Sequence, residues 1–462
     1  MLARRPFKLA LPLLAAALSA CSFIPVYERP AAPVAAEFPL PAAVSGTPAP
    51  ELAWADFVAD ARLQALVDLA LQNNRDLRIA VLNVEQTRAA LGLQRADRLP
   101  TLNAGVAASR TPGSGGDMVN SYSLGLQVTA FELDLFGRVK SLSEAALARY
   151  LASDEGRRAA QAALLAAVAQ ADLALRADDE LLSLTQRTLA SRQDGLKLVR
   201  LKFDGGASAE PELRSAESLV AAARANLAAL QRQRSVDANA LTLLVGQPLP
   251  ATLPVPGAWG QLRLADLPAG LPSEVLLRRP DVRQAEQQLI AANANIGAAR
   301  AAFFPRIALT GSAGFASNQL SGLFDNTAWS FTGQLLQPIF DSGRNEANLA
   351  AARAGRDIAV AQYEKTVQTA FREVADSLAG RATLDEQLAA QQALADAEAR
   401  RLELAELLYR GGVASQLDRL DAERNTLAAR QAVVQLQLAR LQNAVQLYRV
   451  LGGGVPPATT AR

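Results

Sequence analysis

RLPTLNAGVAAS (residues 98–109) and FFPRIALTGSAG (residues 303–314) make the same transition 205 residues apart. Each follows a long run of helix-forming residues. Each breaks at a proline, Pro100 or Pro305, and continues as alternating small, apolar and hydroxyl residues. The residue before a proline is pushed out of the helical region. Both prolines therefore mark a junction where a helix ends and a strand begins.

The two junctions belong to a longer repeat. Asp76, Gly92, Arg95 and Pro100 match Asp281, Gly297, Arg300 and Pro305 at an offset of 205. Beyond the strands the offset becomes 206. Gly137-Arg138 then matches Gly343-Arg344, Gly205-Gly206 matches Gly411-Gly412, and Ala216-Glu217 matches Ala422-Glu423. Ordered matches at a near-constant offset define two copies, 51–246 and 273–452. A Pro/Gly-rich stretch, 247–272, joins them, and a tail, 453–462, follows.

Each copy reads helix, strand, strand, helix, helix, a mainly α fold with two hairpins. In the first copy the reading is helix 61–98, strands 101–109 and 122–131 around the turn TPGSGGD, then an unbroken helix from Arg138 to about Lys202. At 1.5 Å per residue that last helix is on the order of 95 Å long. Gly205-Gly206 ends it, and Pro211 suits the first turn of the next, which runs to about Val245. The second copy reads helix 273–303, strands 307–315 and 328–337, helix 344–410, a break at Gly411-Gly412 and helix 415–451. Val168, Leu175, Leu182, Leu189 and Leu196 recur every seven residues, a heptad that asks for coiled-coil packing. A stripe facing an ordinary globular core has the same period, but such a helix exceeds a domain's diameter.

Composition removes whole classes of chemistry. The 462 residues include no His and one Cys. Ser-His-Asp triads, imidazole bases, His metal sites, intramolecular disulfides and multi-cysteine metal sites are absent. No phosphate loop or nucleophile–base pair appears, so the expectation is a protein that is not an enzyme, without cofactor or metal. Net charge is +2 with no basic block, which disfavours nucleic acid.

The N-terminus carries an address. Arg4, Arg5 and Lys8 precede the apolar stretch Leu9–Leu18, the pattern of a secretory signal over residues 1–20. Leu18-Ser19-Ala20-Cys21 resembles the bacterial lipobox, which implies cleavage before Cys21, a diacylglyceryl thioether on its sulfur and N-acylation. An ordinary signal peptide with an incidental Cys is the alternative. Ser22, rather than Asp, implies sorting to the outer membrane. Cleavage removes three positive charges and leaves a mature net charge of −1. Residues 21–50 are proline-rich and read as an extended tether without a packed element.

Tyr122, Leu124, Leu126, Val128 and Ala130 alternate with Ser123, Gly125, Gln127 and Thr129. Trp329, Phe331, Gly333 and Leu335 alternate with Ser330, Thr332 and Gln334, and Ile307, Leu309, Ala313 and Phe315 with Ala308, Thr310, Ser312 and Gly314. A half-buried strand of a soluble sheet shows the same period. Strand length and the export signal favour a bilayer instead. Four strands cannot close a barrel and open edges are not tolerated in lipid, so copies must share one: eight strands from a dimer, twelve from a trimer.

The duplicated architecture, the lipobox, FELDLFGR at 131–138 (Phe131 where Trp is common) and YRGGVASQLDRLDAE at 409–423 together resemble TolC-like outer-membrane efflux proteins. They look most like the lipoprotein branch that pairs with resistance-nodulation-division (RND) pumps. The resemblance implies a homotrimer whose twelve-stranded barrel in outer-membrane lipid continues into a long periplasmic α-helical barrel. It also implies an equatorial collar, assigned to residues 51–60, 246–272 and the tail. Partners would be a periplasmic adaptor and an inner-membrane RND-type pump, with export of small toxic molecules. The tips at 203–217 and 409–424, turning at Gly205, Gly206, Gly411 and Gly412, would meet the adaptor. A periplasmic gate is assigned by resemblance to Leu417, Asp421 and Arg424, with Tyr409 beside them and Leu213 and Glu217 from the first copy. Asp421 and Arg424 are three apart and can equally form a plain surface pair. A type I protein-secretion channel and a closed periplasm-spanning lipoprotein are the rival readings.

Overall fold

The computed structural model describes residues 22–38, 49, 51–112, 114–267 and 273–454. The signal segment, Cys21 and the tail beyond residue 454 lie outside the described residues. The elements are α1 (Trp54–Phe57), α2 (Ala61–Asn73), α3 (Arg75–Ala96), β1 (Leu102–Pro112), β2 (Met118–Leu133), α4 (Arg138–Asp204) and α5 (Glu210–Val245). The second copy continues with α6 (Pro280–Ala301), β3 (Arg306–Ser317), β4 (Thr327–Leu336), α7 (Arg344–Arg410) and α8 (Gln416–Val450). The chain forms two compact units, and α4 and α7 contribute to both.

The repeat is written into the backbone. Gly137, Gly206 and Gly246 have φ of 71°, 73° and 79°, and their partners Gly343, Gly412 and Gly452 have 81°, 73° and 89°. A left-handed backbone favours glycine, so the same three punctuation points recur at an offset of 206. Both long helices contain 67 residues.

One unit holds the sheet. Its four strands are antiparallel in the order β1-β2-β3-β4. The register places Leu126 opposite Ala104 and Ala313, and Ala313 opposite Trp329, so the apolar sets of all four strands share one face. Asn103, Gln127, Ser312 and Ser330 form a row on the other, where the two serine hydroxyls lie 2.8 Å apart. The apolar face is open: Trp329 is 80% exposed and Val106 76%.

One placement is corrected. Ala130 does not continue the apolar face. The pairing shifts between Val128, opposite Gly311, and Phe131, opposite Leu309, so Thr129 and Ala130 together face Thr310. Ala130 takes φ 51° and its N–H donates to Thr310 Oγ1 at 3.1 Å. This bulge hands the apolar face to Phe131 and Leu133.

The proline-rich N-terminal segment also differs from a free tether. Among its described residues, 22–29 lie packed along α6. Phe23 stacks on Phe304 at 4.6 Å, and Phe304 on Phe136 at 4.9 Å. Asn293 Nδ2 donates to the Pro25 carbonyl at 2.8 Å, and Arg29 pairs with Glu286 at 2.7 Å.

The other unit holds a core in which Leu66, Val67 and Ala70 of α2 meet Leu164, Leu165, Val168 and Leu175 of α4 and Leu241 and Val245 of α5. The expected helix 61–98 is two helices. Asn74 divides them: its Oδ1 accepts from Leu77 N at 2.8 Å and its Nδ2 donates to the Leu244 carbonyl at 2.8 Å. In the second copy the helix likewise starts later, at Pro280, after a 3-10 turn over Ser273–Arg278. Residues 51–60 and 246–267 pack together. Val58 bridges Leu264, Ala265 N donates to the Phe57 carbonyl at 3.0 Å, and Phe57 stacks on Tyr448 at 4.2 Å. A buried charge network ties this region to α4. Arg176 donates to Asp60 at 2.8 and 2.9 Å and to Asp172 at 2.7 Å, and Asp172 also accepts from Arg62.

Candidate functional site

The helix tips are built from the glycine turns. Gly206 N donates to Phe203 O at 2.9 Å and Ala207 N to Lys202 O at 2.7 Å. Gly412 N donates to Tyr409 O at 3.0 Å and Val413 N to Leu408 O at 2.9 Å. These are Schellman caps, which close the last carbonyls of α4 and α7. Gly206 and Gly412 are the left-handed members; Gly205 and Gly411 precede them without positive φ. Pro211 sits in the first turn of α5, and Ser415 and Asp418 cap α8 reciprocally.

The assigned gate residues separate into three environments. Leu417 is 74% exposed beside the second turn. Asp421 is held from two sides: Arg401 of α7 donates to it at 2.8 Å, and Arg424 pairs with it along α8. These guanidiniums, Arg401 first, keep the Asp421 carboxyl below its ordinary range. Tyr409 faces the first hairpin, where Lys202 Nζ donates to its hydroxyl at 3.2 Å and lies over its ring, as does Arg419.

The first-copy residues stand differently. Leu213 is buried against Val199 and Ala216, so it is core of its own tip rather than an exposed lining residue. Glu217 is held by Arg214 at 2.9 Å and Arg200 at 2.8 Å, which lowers its carboxyl. At an offset of 206 its partner is Glu423, which is nearly buried and paired with Arg192 at 3.0 Å. Gly195, Ser215 and Ser218 stand where the second copy has Arg401, Asp421 and Arg424. The charged triad therefore belongs to the second hairpin alone.

Sequence reasoning missed Arg401 and Arg192. A signal existed for the first. Arg401 and Asp421 are equidistant from Gly411, and the paired residues of an antiparallel hairpin straddle its turn.

The strand ends are the second functional region. Pro100 and Pro305 lie between α3 and β1 and between α6 and β3. Glu132, at the end of β2, accepts both Arg138 at 2.7 Å and Arg306 at 3.3 Å, binding the base of the sheet to the first turn of α4. Asp134 caps α4 and Asp341 caps α7 through backbone N–H groups. Among the described residues no group of His, Cys, Asp and Glu could hold a metal ion, and no helix is long and apolar enough to cross a membrane. Neither statement bears on a β-barrel.

A sheet with an exposed apolar face and open edges, in a chain that also builds a long helical hairpin twice, defines a channel-type outer-membrane protein. The chain belongs to the family described as outer membrane efflux protein, whose model matches twice, over residues 66–247 and 271–453. It is 46% identical to the outer membrane protein OprJ of Pseudomonas aeruginosa, over 98% of this chain and 97% of that protein. It is also 46% identical to the solvent efflux pump outer membrane protein SrpC of Pseudomonas putida, over 95% and 96%. Among solved structures, the open state of the MtrE outer membrane channel of Neisseria gonorrhoeae superposes with a TM-score of 0.87 at 43% identity, over 94% of this chain and 98% of that one.

Proposed function

We propose that this chain is the outer-membrane conduit of a tripartite efflux system and that three copies close one twelve-stranded barrel. The open apolar face of the four-stranded sheet carries this reading. β1 and β4 are its edges, and an apolar face with unpaired edges is stable in lipid only when neighbouring copies complete the ring. Twelve strands leave an aqueous lumen where eight are filled by side chains. The barrel continues into a periplasmic helical one, whose tips at Gly205-Gly206 and Gly411-Gly412 receive a periplasmic adaptor joined to an RND-type pump. The pump supplies the energy. Relatives are named for solvents, toluene and antibiotics, and small toxic compounds are the proposed cargo. Cys21 is the proposed attachment point of the lipid anchor.

Purified full-length protein in planar bilayers tests the conduit. Stable ion conductance is expected; its absence with folded protein overturns the channel in favour of a closed periplasmic spacer. Cysteine pairs placed on the β1 and β4 edges should crosslink into trimers, and dimers would refute the twelve-stranded ring. Crosslinkers at Ala207 or Ala414 should capture a co-expressed adaptor.

A further inference from the structure

Two acidic side chains face each other across the first hairpin. Asp178 of α4 is 7% exposed, and its Oδ2 has no hydrogen-bond partner in the protein. The carboxyl of Asp237 on α5 lies within hydrogen-bonding reach of it. The surrounding charges are accounted for. Asp179, next on α4, is paired with Arg234 of α5 at 2.5 Å, and Gln233 donates to Asp237 at 3.1 and 3.2 Å. The apolar cluster around Ala177 and Leu181 brings in Leu230, Trp259, Val434 and Leu438, all uncharged.

The internal repeat shows that the hairpin does not need this arrangement. Asp179–Arg234 recurs 206 residues later as the ion pair Asp385–Arg440. Beside that pair, Leu384 and Asn443 stand where the first copy has Asp178 and Asp237. The same level of the same hairpin is built once with two carboxyls and once with none.

Ionised carboxylates only accept hydrogen bonds, so two of them can bond only when one carries a proton. We propose that Asp178 and Asp237 form a proton-binding site that shares one proton between α4 and α5, latching the first hairpin at this level while the second hairpin has no such latch. Protonation tightens α4 onto α5; loss of the proton sets two like charges against each other and loosens them. Burial first, and then the facing Asp237, push the Asp178 carboxyl up to about 7, inside the range a periplasm meets. A carboxyl raised in the fold and ordinary when unfolded costs nothing below the unfolded value. Its contribution to stability falls as pH rises from about 4 to about 7 and is flat above.

The test uses the full-length protein in detergent, with infrared detection of the protonated-carboxyl C=O stretch and unfolding midpoints across pH 4–9. Wild type should keep a carboxyl band that disappears around pH 7, and a midpoint that falls over the same interval. The double variant Asp178→Leu/Asp237→Asn installs the chemistry of the second copy and is expected to fold. It should lose the band and flatten the pH dependence. Asp237→Asn alone should move the band's disappearance down by on the order of one pH unit. A band and slope that survive in the double variant overturn the proposal. So does a wild type with no band whose midpoint responds to added calcium instead of protons, since the pair then holds a cation.

Discussion

Arg401 of α7 donates to Asp421 of α8 at 2.8 Å, closing the second hairpin from one helix to the other, while Arg424 holds the same carboxylate from along α8. Asp421 is thus the shared acceptor of a triad and not the partner of one arginine. If the triad constrains the pore, Asp421→Ala and Arg401→Ala should each raise single-channel conductance severalfold. Raising salt should weaken the wild-type constraint, because these groups are exposed and screened within about 3 Å at 1 M. Conductance unchanged in both variants would reduce the triad to a surface pair.

Arg176 is the centre of a buried network, with Asp60 and Asp172 both depending on it. Arg176→Met removes the cation and leaves Asp172, which is fully buried, beside Arg62 only. Losing one partner of a buried ion pair costs about 3–5 kcal/mol. Burial already pushes the Asp172 carboxyl up against the pull of its arginines. Without Arg176 it rises further, so the penalty should shrink as pH falls and Asp172 takes a proton. Denaturant unfolding at pH 5 and pH 8 reads both effects. An equal loss at the two values would show that the cost is packing and not charge.

The fold's punctuation was legible because each mark occurs twice. Pro100 and Pro305 announce the strands, and the glycine turns at 206 and 412 end helices of equal length for a reason that depends on one residue's φ. What escaped depends on partners far away in sequence. Asn74 looks like any helical asparagine until Leu244, 170 residues on, supplies the carbonyl that holds it. Ala130 fits the two-residue alternation, and only the register against Thr310 reveals the bulge. At the tips, Tyr409 and Asp421 could be assigned by resemblance, but Leu213 turned inward because apolar character does not say which neighbour a leucine meets. The proline content of residues 21–50 describes backbone stiffness and is silent on whether Phe23 finds a ring to stack on.

Gly92 and Gly297 occupy the same place in the two copies but meet different surroundings. A Cβ at Gly92 has open space, whereas one at Gly297 would run into Ile24 Cγ1 at 2.6 Å and Ser141 Oγ at 2.7 Å. Gly297→Ala should therefore lift the N-terminal segment from α6. Hydrogen exchange or limited proteolysis within residues 22–29 should speed up severalfold, with Asn293 and Arg300 losing their backbone acceptors. Gly92→Ala should leave that segment untouched and, as a helix-interior change, stabilise by about 0.5–1 kcal/mol. Equal protection of residues 22–29 in both variants would show that the segment's hold on α6 does not depend on the close approach at Gly297.

Gly105, Gly125, Gly314 and Ala328 form one row across the four strands. At its centre β2 and β3 approach so closely that a Cβ on Gly125 would meet Ala313 O at 2.5 Å and Gly314 Cα at 2.8 Å, and one on Gly314 would strike the Leu124 carbonyl. Both obstacles are backbone, which cannot rotate aside. Glycine within a strand marks such close approach or a tight bend of a barrel wall. Gly314→Val should separate the two hairpins at this level, a cost of about 1–3 kcal/mol or more from overpacking alone. The effect should appear as a smaller folded, protease-resistant fraction after insertion into liposomes. Gly333→Ala serves as the control, since within its own chain its Cβ meets only Leu309 Cδ2 at 3.7 Å. If Gly314→Val inserts as well as Gly333→Ala, the close approach of β2 and β3 is not what shapes the wall.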